Sequence, residues 1–305
     1  MASPYSPTKA KRRNPDLAIN PPASSFGSQN AILTGTSRRY YVPDFRGPLS
    51  VKATLQGTAT WKVNGRSFRV SESAFLVVNA EQPYTIAYEE PHDVTTFCLL
   101  FQAGFVEQLR TAMWVAPQTS LDDPFRADRT EFRIGLQSGP NAVLDRLRTF
   151  AKLLGSEEVS GEMWELSFQE LAISLLRETH SVPVAAEDLR AVKGSTRQEL
   201  LRRVLVGKDF IISMSECPIK VEDAAKAACL STFHFHRVFV QAFGISPHQF
   251  LRNFRLLRAG QMLRSSDLPV TEIAHRVGFQ SLGSFGTAFN KEYGVAPVAY
   301  RSGSK

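Results

Sequence analysis

Two kinds of side chain in this sequence have types and spacings suited to chemistry. The first kind binds metals or acts as a nucleophile. His234 and His236 stand two apart in a stretch of helical periodicity. Residues two apart point to nearly opposite sides of a helix, so this pair does not chelate one ion as an i, i+4 pair does. His234 is expected to support the fold and His236 to face outward. Cys98, Cys217 and Cys229 are scattered, which argues against a disulfide framework and a zinc site and fits a reducing cytosol. A redox role for Cys229 is the minor alternative. Before Ser195 the only histidines are His92 and His180, too few for a clustered His and carboxylate metal site. With no catalytic constellation in view, the expectation is a protein that is not an enzyme and holds no metal or cofactor.

The second kind is the hydrogen-bond donor on an exposed helix face. In TFHFHRVFVQAF, Phe235, Val238, Phe239 and Ala242 follow the i, i+3, i+4, i+7 rule of a core face. The opposite face then carries Thr232, Phe233, His236, Arg237 and Gln241. This face is a candidate for reading a DNA groove. Arg237 can donate two hydrogen bonds to guanine O6 and N7, worth ~1–3 kcal/mol of discrimination. A phosphate contact or a salt bridge within the domain is the alternative for Arg237. His236 suits a base edge or a phosphate. Phe233 suits a thymine methyl or a covering role over its own core.

The elements that must position these residues form an internal repeat. VEDAAKAACLSTFHFHRVF at 221–239 matches VTEIAHRVGFQSLGSFGTAF at 270–289, with one extra residue in the second turn. Each unit has a short first helix with small or apolar residues on one side: Val221, Ala224, Ala225 and Ala228, then Val270, Ile273, Ala274 and Val277. Ser231 and Ser281 are placed to cap the second helices. This is helix-turn-helix logic, in which the second helix enters the major groove by its N-terminal half. Cys229 stands where the second unit has Gly278. A left-handed backbone is costly for Cys, so the first turn is expected to differ in shape. Between the units Ser246 caps a helix with Pro247 at its first position. That helix carries Arg252, Arg255, Arg258 and Arg264, giving it basic character. It would hold two reading heads apart, to meet groove faces ~34 Å apart on one side of the duplex.

Charge placement agrees. The net charge is +7, and residues 195–305 hold 15 Lys and Arg against 8 Asp and Glu, so the whole excess lies in the last third. A basic domain beside a neutral one fits a polyanion partner. Residues 1–25, rich in Pro, Ser and basic residues, are expected to be a disordered arm. From Leu49 to Phe101 the runs SVKATLQ, ATWKV, SFRV, AFLVV, YTIAY and VTTFCLLF suggest a small barrel or jelly roll, with Asn64-Gly65 as a hairpin turn. Alternation puts Tyr84, Ile86 and Tyr88 on one face, and Ala59, Trp61 and Val63 on one face. If those faces line the barrel, the cavity is aromatic with a few hydroxyls and suits a small organic effector; plain core is the alternative. Trp61, Tyr84, Tyr88 and His92 are its candidate contacts. Two apolar helical stretches follow, at 141–154 and 162–180. The second, apolar well beyond a single stripe, suits packing within the domain or against a second subunit, so a homodimer is expected. Residues 181–196 look like a linker. No apolar run approaches the ~20 residues of a membrane span, and the chain is expected to be cytoplasmic.

Leu230-Ser231, His234, Arg237-Val238-Phe239, Gly244-Ile245-Ser246-Pro247, Gly278-Phe279, Phe285, Phe289, Tyr293-Gly294-Val295, Pro297 and Tyr300-Arg301 resemble the signature of the AraC/XylS family of transcription regulators. The match is dense from Val221 to Arg301. The resemblance implies an α+β chain: a cupin-like sensor and dimerisation domain at 26–180, then an all-α DNA-binding domain with two helix-turn-helix units at 197–305. It implies promoter DNA as partner and activation through RNA polymerase. Where the family commonly has a reading arginine in the second unit, this chain has Thr287, and the face beside it carries Leu282, Gly283, Ser284 and Gly286. That unit is expected to contact mainly the DNA backbone, through Ser281, Ser284, Thr287, Asn290 and Lys291. The family's usual Pro-His step is Pro83-Tyr84 here. A regulator that needs no effector, and a metal-dependent cupin enzyme fused to a DNA-binding domain, are the rival readings.

Overall fold

The computed structural model describes residues 18–114, 130–139, 141–156, 159–187 and 194–303. It divides into two units: Met1–Ile134 with Pro140–Ser181, and Gly135–Gly139 with Val182–Lys305.

The first unit is a nearly closed, largely antiparallel β-barrel. Its strands are β1 (Ala18–Ile19), β2 (Ala31–Phe45), β3 (Ser50–Gln56), β4 (Thr58–Val63), β5 (Arg66–Ser71), β6 (Ala74–Val78) and β7 (Tyr84–Leu100). The order is β1-β2-β7-β3-β6, and β4 pairs with both β7 and β5. Only β1 runs parallel to its neighbour among these pairs. The β4–β5 hairpin turns on Asn64 and Gly65, with φ of +51° and +74°, the two left-handed residues such a turn needs. The runs YTIAY and VTTFCLLF prove to be one strand, β7. Strand β2 starts well before Leu49; Gly35 and Pro43 within it mask the usual alternation.

The expected disordered arm needs correcting at its end, while residues 1–17 lie outside the described residues. Ala18 and Ile19 pair with Ala31 and Ile32. The Asn20 amide extends this ladder, donating to the Thr34 carbonyl and accepting from the Thr34 N–H, both at 2.9 Å.

One face of the sheet packs on three helices: α1 (Phe105–Trp114), α2 (Ala142–Leu154) and α3 (Gly161–Glu187). Val51, Ala53, Phe75, Phe97 and Leu99 from the sheet join Val143, Leu144, Leu147, Phe150, Trp164, Phe168 and Leu171 in one core. The ring of Phe150 meets Phe168 at 5.0 Å and Trp164 at 5.7 Å. Met163 and Leu166 on α3 stay exposed. Of the expected linker at 181–196, residues 188–193 lie outside the described residues, while α3 continues to Glu187 and the next helix starts at Gly194.

In the second unit β8 (Leu136–Ser138) accompanies seven helices: α4 (Gly194–Ser213), α5 (Val221–Ala227), α6 (Thr232–Phe243), α7 (Pro247–Ser265), α8 (Val270–Arg276), α9 (Leu282–Tyr293) and α10 (Pro297–Ser302). There are two small cores. One gathers Val204, Ala224, Ala225, Phe235 and Phe239 from α4, α5 and α6. The other gathers Leu256, Ala259, Ile273, Ala274, Phe285 and Phe289 from α7, α8 and α9. Helix α7 serves both, since its Phe250 and Leu251 pack on the first core. No helix among the described residues is long and apolar enough to cross a membrane.

Candidate nucleic-acid interface

Each helix-turn-helix unit is built from local signals. Ser231 accepts the N–H of His234 at 3.3 Å, and Ser281 accepts that of Ser284 at 3.2 Å, so both second helices are capped. Both end on a left-handed glycine, Gly244 and Gly294. Ser246 caps α7 in a reciprocal box with Gln249, and Pro247 occupies its first turn.

Burying one face of each second helix leaves the opposite face in water. In α6 the core side is Phe235, Val238, Phe239 and Ala242. Thr232, Phe233, His236 and Arg237 are exposed and Gln241 is half-buried. Phe233, 79% exposed, covers no core of its own, which removes the second reading of that residue. In α9 Phe285 and Phe289 are buried, while Ser281, Leu282, Ser284, Thr287, Asn290 and Lys291 are all exposed. A Cβ added at Gly283 or Gly286 would meet nothing within 4 Å. The structure therefore gathers the sequence's candidates into two solvent-facing stripes of unequal reach: long donors and rings on α6, short side chains on α9.

The first turn does not differ in shape, which corrects the expectation for Cys229. Cys229 is left-handed at φ +52° and Gly278 at +95°. The following N–H groups are bound alike, Leu230 to the Ala225 carbonyl and Phe279 to the Ala274 carbonyl. Arg203 steadies the strained turn by donating to the Cys229 carbonyl at 3.2 Å. The same Arg203 joins Arg202 in binding Glu199, which holds the Glu199 carboxyl down to about 2 through hydrogen bonds to Arg202 and Arg203.

The arginines of α7 do less for an outside partner than their number suggests. Arg255 donates to the Ser215 and Cys217 carbonyls, both at 2.7 Å, and burial pushes its pKa down. Arg258 pairs with Glu216 at 2.6 Å. Arg264 lies over the Tyr300 ring. These contacts fix α7 to its neighbours. Tyr293 and Arg301 add bonds to the Leu256 and Leu268 carbonyls. At ~1.5 Å per residue, the 19 residues of α7 span about 28 Å, a rigid spacer close to one turn of DNA.

In the barrel, Trp61, Tyr84 and Tyr88 are buried on the inward face. His92 is exposed, so it does not line the interior. It sits in the polar stretch of β7 between Glu89 and Asp93, where exposure replaces strict alternation. Burial pushes the Tyr88 phenol up to about 12, with Tyr40 and Cys98 adding and a Thr96 hydrogen bond opposing. The sequence reading missed Lys52. It is 1% exposed and donates to Tyr84 Oη at 2.8 Å, its Nζ 4.2 Å from the centre of that ring. Its position in the alternation Ser50, Lys52, Thr54 was the available signal, opposite the apolar Val51 and Ala53. A separate cleft of about 510 Å³ is lined by Phe26, Arg46, Asn79, Glu81, Gln102 and Glu107, among others; none of the four candidate effector contacts lines it. No group of three His, Cys, Asp or Glu among the described residues is arranged to hold a metal.

A strand-rich barrel followed by paired, capped helix-turn-helix units defines a regulator of the helix-turn-helix class. Residues 31–152 match the family model of the AraC-like ligand binding domain, and residues 224–303 match that of a helix-turn-helix domain. The chain belongs to the AraC/XylS family of transcriptional regulators. It is 32% identical over 103 residues to the probable transcriptional regulator LumQ of Photobacterium leiognathi, covering 34% of this chain and 41% of LumQ. It is 39% identical over 82 residues to the transcriptional activator RhaS of Salmonella arizonae, covering 27% of this chain and 30% of RhaS. The matched stretch thus spans less than half the length of these relatives. Among solved structures, the C-terminal domain of AraT, a response regulator of Geobacillus stearothermophilus, is 32% identical, covering 33% of this chain and 84% of that chain, with a TM-score of 0.32.

Proposed function

We propose that this protein binds promoter DNA sequence-specifically and activates transcription in concert with RNA polymerase, under control of a small organic effector held in its barrel. The observation that carries this is the pair of exposed stripes on one rigid frame. Thr232, Phe233, His236 and Arg237, with Gln241 beside them, read bases from α6. Ser281, Leu282, Ser284, Thr287, Asn290 and Lys291 hold mainly the sugar-phosphate backbone from α9. Phosphate contacts position a protein and base contacts give it specificity, so one unit specifies and the other anchors. The exposed Met163 and Leu166 on α3 support a homodimer through that helix. The two units, Met1–Ile134 with Pro140–Ser181 and Gly135–Gly139 with Val182–Lys305, fit the sensing and DNA-binding roles.

The test is selection of binding sites by the full-length protein from a random duplex library. The expected product is a motif with a strongly specified half beside a weakly specified one, about a helical turn apart. Failure to enrich any motif overturns the reading. A reporter driven by the enriched site then separates activation from repression.

A further inference from the structure

The chain leaves the barrel unit and returns to it within a few residues. Gly135–Gly139 belong to the helical unit, while the chain on either side belongs to the barrel unit. The middle of this excursion is β8 (Leu136–Ser138), bracketed by Gly135 and Gly139. Gly139 takes φ +100°, a backbone that needs glycine. Each side of the excursion is fastened inside its own unit. In the barrel unit the Asn79 side chain donates to the Phe132 carbonyl and accepts the Phe132 N–H, both at 2.9 Å. The Phe132 ring is buried in the core under the sheet, and Glu107 of α1 accepts the Thr130 N–H at 3.1 Å. In the helical unit Asp209 of α4 accepts the Leu136 N–H at 3.0 Å.

The second fastening is stronger than a loop needs. Leu136 is 0% exposed and Asp209 2%. A buried carboxylate is costly unless it is hydrogen-bonded, and a backbone N–H on an ionised acceptor is among the stronger hydrogen bonds. The helix that carries Asp209 also organises the first helix-turn-helix unit. Gly207 of α4 lies against the Phe235 ring of α6, and Arg203 of α4 donates to the Cys229 carbonyl in the turn before α6. Residues two apart point to nearly opposite sides of a helix, so β8 holds one side of α4 and Phe235 meets the other. Three residues separate Phe132 from Leu136, which leaves little slack between the two fastenings.

We propose that Asp209 is a positioning residue for DNA binding. By gripping β8 it ties the Phe132 anchor of the barrel unit to α4, and through α4 to the reading helix α6. Asn79 and Asp209 are then the two ends of one strap, and a change at either end reaches Arg237 and its neighbours without touching DNA. This rests on the reading of the chain as a DNA-binding regulator only for its DNA readout; the tie itself is read from unfolding.

The experiment is a double-mutant cycle in the full-length protein, read as affinity for a site that the protein itself selects and as stability in urea. Asn79→Ala removes both bonds at the barrel end, and Asp209→Ala releases β8 at the other. Each is expected to weaken DNA binding by about five- to tenfold, the lower range of coupling between distant sites. Together they should weaken it no more than the larger single change, because either cut frees the same strap, whereas independent sites add. Asp209→Asn, whose amide oxygen still accepts the Leu136 N–H, should restore most of the affinity. If Asp209→Ala does not fold, Leu136→Ala replaces it in the cycle. The proposal is overturned if Asn79→Ala leaves affinity unchanged or if the two effects add. Non-additive stability beside additive affinity also overturns it, since β8 would then tie the units without positioning α6. If no site is selected at all, the DNA-binding reading fails and the positioning role falls with it, while the urea cycle still decides whether the strap exists.

Discussion

Cys229 and Gly278 hold the same left-handed turn in the two helix-turn-helix units, at φ +52° and +95°. Their surroundings differ. Cys229 is exposed, whereas a Cβ on Gly278 would stand 2.6 Å from the Ser215 carbonyl oxygen and 2.8 Å from Arg255 Nε. The left-handed region costs a Cβ-bearing residue ~1–2 kcal/mol, and glycine's freer unfolded chain returns part of that. Cys229→Gly is therefore expected to stabilise the domain by about 0.5–1 kcal/mol. Gly278→Ala should destabilise it by more than Cys229→Gly gains, adding a clash to strain. Urea denaturation of the full-length protein checks both. A Cys229→Gly variant no more stable than the parent would mean the turn is unstrained.

Gly207 on α4 lies under the ring of Phe235 on α6. A Cβ there would stand 2.3 Å from Phe235 Cε2 and 3.1 Å from the Ala224 carbonyl oxygen. Alanine ordinarily improves a helix interior by ~1 kcal/mol over glycine. Overpacking costs ~1–3 kcal/mol, and here the clash wins because Phe235 is fully buried and cannot swing away. Gly207→Ala should therefore destabilise the first helix-turn-helix unit and the core it shares with α4. Because Phe235 shares its helix with Arg237, DNA affinity should drop in the same variant. A more stable Gly207→Ala protein would show that α4 is free to shift.

On the proposed division of labour, Arg237→Ala and Thr287→Ala should fail differently. Loss of a bidentate guanine contact costs ~1–3 kcal/mol at one base pair and relaxes preference there. Thr287→Ala should lower affinity a little and equally across sequences. Repeating the site selection with each variant separates them. A uniform loss for Arg237→Ala would reassign it to phosphate, and a single-position change for Thr287→Ala would make the second unit a reader.

Much of this frame is legible in sequence because it is written locally. Ser231, Ser246 and Ser281 are caps that sequence spacing alone predicts. Phe235 and Phe239, then Phe285 and Phe289, mark the buried faces by period. The Asn64-Gly65 turn is likewise local. What stayed hidden depends on partners far along the chain. Lys52 reads as an ordinary outward lysine in a strand until Tyr84 arrives from 32 residues away. Arg255 and Arg258 read as cations for DNA until the carbonyls and carboxylate at 215–217 claim them. Cys229 misled for a different reason. Intrinsic preference argued against a left-handed turn there, and the packing of α5 on α6 overrode it.

Alkaline pH should weaken the second helix-turn-helix unit through Tyr293. Burial pushes its phenol up to about 12, with Tyr300 and Glu292 adding and Arg264 opposing. The unfolded phenol titrates near ~10, so folding favours the protonated form. That stabilisation is complete below pH ~10 and is lost as pH rises through about 12. Tyr293→Phe removes the bond to the Leu256 carbonyl, which should cost about 1 kcal/mol at neutral pH. The variant should also lose less stability than the parent between pH 10 and 12. Denaturation midpoints across that range decide the matter, and parallel curves for the two proteins would refute the assignment.

The glycines of α9 give the most direct test of anchoring. Gly286 is a helix-interior residue whose added Cβ would touch nothing within 4 Å. In the free protein Gly286→Ala should therefore stabilise α9 by up to ~1 kcal/mol. On DNA the same methyl group meets a different situation. A helix that holds phosphates through Ser284, Thr287 and Asn290 brings its backbone close to the duplex, and Gly286 lies among them. A variant that melts at a higher temperature yet binds its selected site more weakly would separate the two effects, since loss of folding cannot explain the loss of binding. The weakening should be equal for all sequences and should grow smaller in Thr287→Ala, where the helix is already less firmly held. If Gly286→Ala gains stability and keeps full affinity, α9 stands further from the DNA than an anchoring role requires.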